Sequence, residues 1–390
     1  MRILVLTPTF LPVIGGAELV LWEVYRRLAT KHDVVLLTPR LSDVLLKHYS
    51  KSKTDYPVNF KVIRYEDKKT LMALRGHKIS GGAIPPFSIS AVSAVKKVLK
   101  DFKAQVLNVH YVMPTGLAGA IANTVWKIPT VLTFNGRDVP GPGVPPLWKY
   151  WHRFIARFCT DLTYVSEYCR DIIFGPQGRG VVTWNGVDFK KIKIKEVKPP
   201  RQTLGIKRKN FILFALQRLS KEKRVDVLLK SMRCIVDKIP NTEMIIGGTG
   251  PEKEKLIELS NRLNLRDKVR FTGFIPDAEI GNYFNLCDVF VFYSTYETFG
   301  IVLAQAMAFG KPIVSILSTA IPSVVKDKEC GLLVLPNKPE KMAEAVIKLL
   351  NNKRLRKQLG ANGRKRAESL FDWDVVAKKY EDVFFRAIKL

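Results

Sequence analysis

The chain is short of cysteine, histidine and acidic residues, and it contains no long apolar run. Its five cysteines in 390 residues (Cys159, Cys169, Cys234, Cys287, Cys330) are odd in number, scattered, and form no C-x-x-C pair. That spacing excludes a zinc ribbon and a secreted disulfide framework, and a reduced cytosolic chain is the expectation. No stretch approaches the ~18 apolar residues that a spanning helix needs. The opening MRILVLTPTFLPVIGG carries Arg2 as its whole positive region and has no small-residue cleavage site, so it reads as a buried first strand. His110 is the only histidine between His77 and His152, and the lone D-x-D (Asp372–Trp373–Asp374) sits at a helix start, where a capping role is the default. No metal site is expected. No glycine loop completes G-x-G-x-x-G or ends in G-K-S/T, which argues against a dinucleotide fingerprint and a P-loop.

What is present is globular: 47% hydrophobic, 10% aromatic and 25% charged residues. At ~150 residues per domain the length implies two or three domains. Lys and Arg number 64 against 35 Asp and Glu, a formal net charge of +29, which favours anionic partners such as phosphates or an acidic membrane surface. Residues 191–209 alone hold eight basic residues against Glu196, and residues 351–370 hold seven against Glu368. Nucleic acid is a weaker reading, because no recognition module is present and the aromatics fall in apolar strands.

Short β-branched runs alternate with amphipathic segments of helical length along most of the chain. Strands are expected at Ile3–Thr7, Val34–Thr38, Phe60–Tyr65, Val106–His110, Thr130–Asn135, Leu162–Val165 and Val181–Trp184. The second half repeats the pattern at Phe211–Leu216, Glu243–Gly247, Val269–Phe274, Val289–Tyr293, Pro312–Ile316 and Leu332–Leu335. Near-continuous apolar strands separated by helices are the mark of parallel sheets covered on both faces. The expected architecture is therefore α/β, with two Rossmann-like doubly wound domains facing a central cleft. We expect an N-terminal domain over 1–188, a basic linker over 189–209 and a C-terminal domain over 210–370. A last helix over 371–390 is free to pack back on the first domain. Two Pro/Gly-rich stretches, 76–88 and 139–147, are too irregular for sheet or helix.

Two strand–helix junctions of the second half concentrate chemistry. In YSTYETFGIVLAQAMAFGKPIV (293–314) a strand ends, a loop carries Glu297, and a helix opens near Phe299–Gly300 and stops at Gly310 before Pro312. The orphan N–H groups and dipole of that helix start favour an anion. In FALQRLSKEKRVDVLL (214–229), Arg218 and Lys223 flank the first loop, where forked guanidinium and point-charge ammonium are suited to a diphosphate. Taken singly, each also fits an ordinary turn with a capping Glu or a solvated charged loop. Gly15–Gly16 and GGTGP (247–251) are further junction loops where backbone can approach a ligand.

Taken together these segments resemble the retaining glycosyltransferases of family four, which have the GT-B architecture. The resemblance spans nearly the whole chain: G-G-x-E at Gly15–Glu18, H-Y-x-x-P-x-G at His110–Gly116, T-x-H-G-x-D at Thr133–Asp138, N-G-V-D at Asn185–Asp188, the R-x₄-K pair, G-x-G-P at Gly248–Pro251, E-x-F-G at Glu297–Gly300 and A-M-A-x-G-x-P at Ala306–Pro312. It implies a nucleotide-sugar donor as substrate, with no further cofactor and no obligatory metal. Arg218 and Lys223 would hold the diphosphate, aided by Thr298 and the backbone of Phe299, Gly300 and Ile301. Glu297 would hold the donor sugar and Gln305 the ribose, while Phe274, Gly248 and Gly250 would border the base and Gly16 would approach the donor. Glu297, Asn135 and His110 would stand at the reacting end. Three positions depart from the pattern: Gln305 replaces a second Glu, Asn135 the histidine of T-x-H-G, and Arg224 the glycine after the lysine. The diphosphate can itself take the acceptor's proton, so loss of that histidine is tolerable. A catalytically silent binding subunit is the competing reading. The lysine-rich face of 91–103 and Lys47, Lys51 and Lys53 of segment 40–53 suggest docking on the cytoplasmic membrane surface, with a lipid-linked or envelope-glycan acceptor; a soluble acceptor is the alternative.

Overall fold

The computed structural model describes residues 1–13, 15–41, 56–67, 87–136, 139–141, 146–192, 205–206 and 209–390. The chain divides into two compact units, Met1–Asn185 with Trp373–Leu390, and Gly186–Asp372. Most of the expected linker, 193–204 with 207–208, lies outside the described residues, as do 42–55, 76–86 and 142–145.

The first unit is built on a seven-stranded sheet of β1 (Arg2–Leu6), β2 (Asp33–Pro39), β3 (Lys61–Tyr65), β4 (Val106–His110), β5 (Thr130–Phe134), β6 (Asp161–Tyr164) and β7 (Val181–Val182). The order is β3-β2-β1-β4-β5-β6-β7 with every pairing parallel. β1, β4 and β5 are apolar runs because both sides of each strand are covered. On one face, α1 (Gly16–Leu28) and the C-terminal helix (Trp373–Lys389) bury Val20, Tyr25, Trp373, Tyr380 and Phe384 against Ile3, Val5 and Val106. The other face is covered by α2 (Ile89–Phe102), α3 (Gly116–Thr124), α4 (Trp148–Arg157) and α5 (Glu167–Phe174), over Leu4, Leu6, Leu107 and Leu132.

The second unit repeats the plan with β8 (Phe211–Leu216), α6 (Val225–Lys238), β9 (Thr242–Gly247), α7 (Lys253–Arg262), β10 (Val269–Gly273), α8 (Asp277–Leu286), β11 (Val289–Val291), α9 (Ile301–Ala308), β12 (Ile313–Ile316), α10 (Ile321–Val324), β13 (Gly331–Val334), α11 (Pro339–Asn351) and α12 (Lys353–Phe371). Its parallel sheet has the order β10-β9-β8-β11-β12-β13. In both sheets the chain reverses its direction of strand addition once, between β1 and β4 and between β8 and β11. Ligands of open α/β sheets gather at such switch points, beyond the carboxyl ends of the strands.

Two strands stop two residues earlier than the apolar pattern suggests, and several others stop one residue earlier. β7 ends at Val182 because Trp184 takes a positive φ of 64°, which no strand accommodates. β11 ends at Val291, and Tyr293 turns its hydroxyl to accept the Asn337 N–H at 2.7 Å. α12 crosses α9 at close range: a Cβ on Gly360 would lie 2.1 Å from the Gly310 carbonyl oxygen. Arg364 of α12 donates to the Ala308 carbonyl (2.6 Å), satisfying the end of α9.

Candidate functional site

In the second unit three carboxyl-edge loops are tied into one surface. The loop after β8 carries Arg218 and a short 3-10 turn (Lys221–Lys223). The loop after β11 is anchored to it, since the backbone and hydroxyl of Thr295 both donate to the Glu222 carbonyl, at 2.9 and 3.0 Å. The loop after β9 is pressed on β8's continuation through bare backbone. Gly248 has a φ of +120°, and a Cβ there would stand 1.9 Å from the Gln217 carbonyl; one on Gly250 would stand 2.2 Å from that of Leu219. Only glycine fits either position. Arg224 adopts the left-handed conformation (φ 41°) and is held by Asp226 at 2.9 Å, so this chain fills with a tethered arginine a position where glycine is favoured.

The Lys223 ammonium donates to the Glu297 carboxylate, an ion pair with side chains 19% and 14% exposed. Lys223 also stands 5.7 Å from the Phe292 ring centre. The Glu297 backbone is fixed on both sides: its N–H donates to the Thr319 hydroxyl (2.9 Å) and its carbonyl accepts from Ala320 (3.2 Å). Glu222 is held below the usual carboxylate range. Partial burial works against this but is outweighed by the Ser220 hydroxyl bond and the charges of Lys223 and Arg218. Arg218 is exposed beside this loop.

Gly300 (φ 85°) opens α9 with no side-chain cap, so the first N–H groups of the helix, with Ile301 leading, keep no intrahelical partner. Thr298 precedes them. The Phe299 ring is buried against Phe371, 5.3 Å between ring centres, which points only its backbone at the loop surface. Gln305 is half-buried in the second turn of α9, and Phe274 stands 74% exposed just beyond β10. The residues gathered on this one edge are thus Arg218, Lys223, Gly248, Gly250, Phe274, Glu297, Thr298, Phe299, Gly300, Ile301 and Gln305.

Gly16, His110 and Asn135 belong to the first unit. Gly16 is exposed at the start of α1, where Glu18 folds back to accept from the Thr9 hydroxyl at 2.5 Å. His110 and Asn135 meet at the ends of β4 and β5, with the His110 Nδ1 3.1 Å from the Asn135 Nδ2. His110 is 1% exposed, and its Nε2 lies 2.7 Å from the Tyr25 hydroxyl. Burial pulls its pKa down to about 3 against an opposing pull from the Asn135 bond, so the ring is neutral across the physiological range. Asp138 lies outside the described residues. Sequence reasoning missed Tyr25 and Asn108. The available signal was an asparagine inside the apolar strand VLNVH, since a buried amide needs partners. It also missed Gln217, whose Nε2 donates to the Lys223 carbonyl (3.1 Å) while its buried Oε1 accepts from no described residue. Among the described residues no group of three or more His, Cys, Asp or Glu side chains could hold a metal ion.

Two family models match the chain. One, Glycosyltransferase Family 4, covers residues 14–191, and the other, Glycosyl transferases group 1, covers residues 197–366. The chain is 23% identical over 389 residues to N-acetyl-alpha-D-glucosaminyl L-malate synthase of Bacillus anthracis, covering 98% of this chain and 96% of that one. It is 24% identical to alpha-monoglucosyldiacylglycerol synthase of Streptococcus pneumoniae, over 85% of this chain and 75% of that one. Among solved structures, Anabaena HepE in complex with UDP superposes with a TM-score of 0.77 at 21% identity, over 99% of this chain and 100% of HepE. The two doubly wound parallel sheets are those of the GT-B fold. With both units matched, the chain belongs to glycosyltransferase family four and is a retaining glycosyltransferase that uses a nucleotide-sugar donor.

Proposed function

We propose that the enzyme transfers a hexosyl residue, without a metal ion, to a lipid-linked or envelope-glycan acceptor at an anionic membrane surface. On the donor side, Arg218 and Lys223 grip the diphosphate, and the N-terminus of α9 faces the charge that develops as it leaves. Glu297 holds the donor sugar's hydroxyls, with the Lys223 pair keeping its carboxylate in place before the donor arrives. Gln305 hydrogen-bonds the ribose, while Phe274 and the Gly248–Gly250 loop border the base. Asn135, at the end of β5, meets the substrate without acting as a base. Retention follows if the departing diphosphate takes the acceptor's proton on the face it leaves. HepE was solved with UDP and with UDP-glucose, which makes UDP-sugars the first donors to test.

The observation that carries the acceptor reading is α4. Its inner side buries His152, Ile155 and Ala156, yet its outer side also presents apolar groups: Leu147 is 74% exposed, Tyr150 58%, Phe154 47% and Phe158 39%. Lys149, Arg153 and Arg157 interleave with them, and residues 146–160 contain no acidic residue. A contiguous exposed aromatic stripe with basic neighbours is the composition of a helix lying in a lipid headgroup region. Each basic group near an anionic leaflet adds about 1 kcal/mol. The α2 face offers Lys96, Lys97, Lys100 and Lys103, all exposed, and adds attraction without apolar anchors. Lys47, Lys51 and Lys53 fall outside the described residues. No helix among the described residues is long and apolar enough to cross a membrane. One of the matched relatives bears the name of a glucosyldiacylglycerol synthase, which is consistent with a lipid acceptor.

The test supplies labelled UDP-hexoses with membrane lipid extract and follows the label into the organic phase, with the anomer read by proton NMR. Organic-soluble product that needs neither added metal nor loses rate in EDTA supports the reading; label only in water-soluble product turns the acceptor to a soluble one. Phe154→Ser with Tyr150→Ser should weaken binding to phosphatidylglycerol vesicles about tenfold or more, since each ring is worth about 1.5–3 kcal/mol when buried.

A further inference from the structure

A chain of three buried side chains and one half-buried one fixes the proton positions at the carboxyl edge of β4 and β5. It starts from a group whose role admits no choice. The Asn108 Nδ2 donates to the Val131 backbone carbonyl at 2.8 Å and to the Thr133 hydroxyl at 2.9 Å. A carbonyl only accepts, so the orientation of the Asn108 amide is set and its Oδ1 faces the Tyr25 hydroxyl at 2.5 Å. Tyr25 must donate there, because two oxygens at that distance with no hydrogen between them would repel. Its one hydrogen is then committed, and toward His110 it can offer only a lone pair. The His110 Nε2, 2.7 Å away, therefore carries the ring's hydrogen, and Nδ1 is bare. Both ends of the Asn135 amide approach that bare nitrogen, Nδ2 at 3.1 Å and Oδ1 at 3.3 Å. Only Nδ2 can bond to it, and Oδ1 is left as an acceptor.

We propose that Tyr25 and Asn108 are positioning residues which act through His110 to hold Asn135 with its side-chain carbonyl presented as an acceptor to a substrate hydroxyl. The polarity matters: an amide turned the other way would offer a donor, and a sugar hydroxyl would have to meet it with a lone pair. The network reads three strands and one helix at once, since Asn108 and His110 lie on β4, Val131 and Thr133 on β5, Tyr25 on α1, and Thr133 is in turn 2.7 Å from Thr163 of β6. Neither positioning residue needs to touch substrate: Tyr25 and Asn108 are 0% exposed, and His110, through which they act, is 1% exposed. That Asn135 meets substrate at all rests on the reading under Proposed function, whereas the proton positions stand on the hydrogen bonds alone.

Two measurements separate those layers. In the full chain labelled with ¹⁵N-histidine, five imidazoles are to be resolved, and His110 should show the Nε2–H neutral pattern unchanged from pH 8 to pH 5. In Tyr25→Phe, which removes the acceptor of Nε2–H, the same resonances should shift toward a mixture of tautomers while the far-UV spectrum stays native. An Nδ1–H pattern in the unmodified protein, or no change in Tyr25→Phe, overturns the relay whatever the enzyme's substrate. The second measurement is donor turnover in Asn135→Ser and Asn135→Ala. A serine hydroxyl can donate to the bare His110 Nδ1 and still offer a lone pair to substrate, where alanine does neither, so Asn135→Ser should turn over about tenfold or more faster than Asn135→Ala. Equal rates, or a slower Asn135→Ser, overturn the acceptor role and leave the proton positions untouched.

Discussion

The two units share one topology and put opposite chemistry at the same place in it. Beyond the switch between β8 and β11 the second unit gathers charge: an exposed Arg218, the Lys223–Glu297 pair and the open end of α9. Beyond the switch between β1 and β4 the first unit gathers neutral, buried groups joined by hydrogen bonds: Tyr25, Asn108, His110 and, at the rim, Asn135. Backbone architecture thus determines where such an edge forms, and the side chains decide whether it is charged or neutral. The difference has measurable consequences, because the charged site should respond to salt and to loss of single charges, and the buried one to acid.

The largest effect is expected at Glu297. Glu297→Gln keeps size and loop anchoring, since Thr319 and Ala320 bond the backbone rather than the carboxylate. It leaves Lys223 without a charged partner and, on the function proposed above, the donor sugar without a charged acceptor. Removing an interaction realised in the transition state commonly costs about 3 kcal/mol or more, so turnover should fall at least a hundredfold with thermal stability nearly unchanged. Near-normal turnover by a continuous nucleoside-diphosphate release assay would break the assignment of that edge to the donor.

The buried histidines of the first unit should make it the acid-sensitive half. His110 and His152 have pKa values pulled by burial from 6.5 down to about 3 and about 4. Neither ring nitrogen of His152 has a partner among the described residues. A histidine buried neutral binds its proton only once the chain unfolds. The unfolded state therefore gains protons below pH 6.5, and stability present above that pH is lost as it falls toward 4 and then 3. By pH 5 each costs about 2 kcal/mol relative to neutral pH, at 1.36 kcal/mol per unit. Urea midpoints should accordingly fall between pH 7 and pH 5, and His152→Phe should narrow the drop by about half. A midpoint independent of pH over that range would mean that the two rings find water or acid groups we have not assigned them.

The same contrast separates what was legible in the sequence from what was not. Parallel strands are covered on both faces, so β1, β4, β5, β8 and β12 could be read directly as apolar runs, and the charged loops after β8 and β11 announced themselves by residue type. α3 (GLAGAIANT) is small and apolar all round, and periodicity cannot show a helix that lacks a polar face. α12 reads as a run of seven basic residues, yet Gly360 and Arg364 make it the brace behind α9. The Tyr25–Asn108–His110 network was out of reach for a different reason. Tyr25 and Asn108 are 83 residues apart, and only the sheet order and the cover of α1 bring them together. Local motifs reveal charged loops; a buried relay exists only in three dimensions.

The smallest and most specific effect concerns Arg218. Being exposed, it contributes little to folding, and Arg218→Ala should leave the urea midpoint within about 0.5 kcal/mol of the original. Its loss should instead weaken nucleoside-diphosphate binding at least tenfold, because a charge-assisted contact to phosphate is worth about 1.5–3 kcal/mol. Binding by the unmodified enzyme should weaken as salt rises from 50 to 300 mM, since exposed charges are screened beyond about 10 Å at 0.1 M. The slope should be shallower in Arg218→Ala, which has one fewer exposed charge to screen. The His110 resonances, by contrast, should not move with salt, because a network buried among neutral groups offers ions nothing to screen. A salt-insensitive diphosphate affinity, or a salt-dependent His110 tautomer, would erase the division between a charged edge and a neutral one.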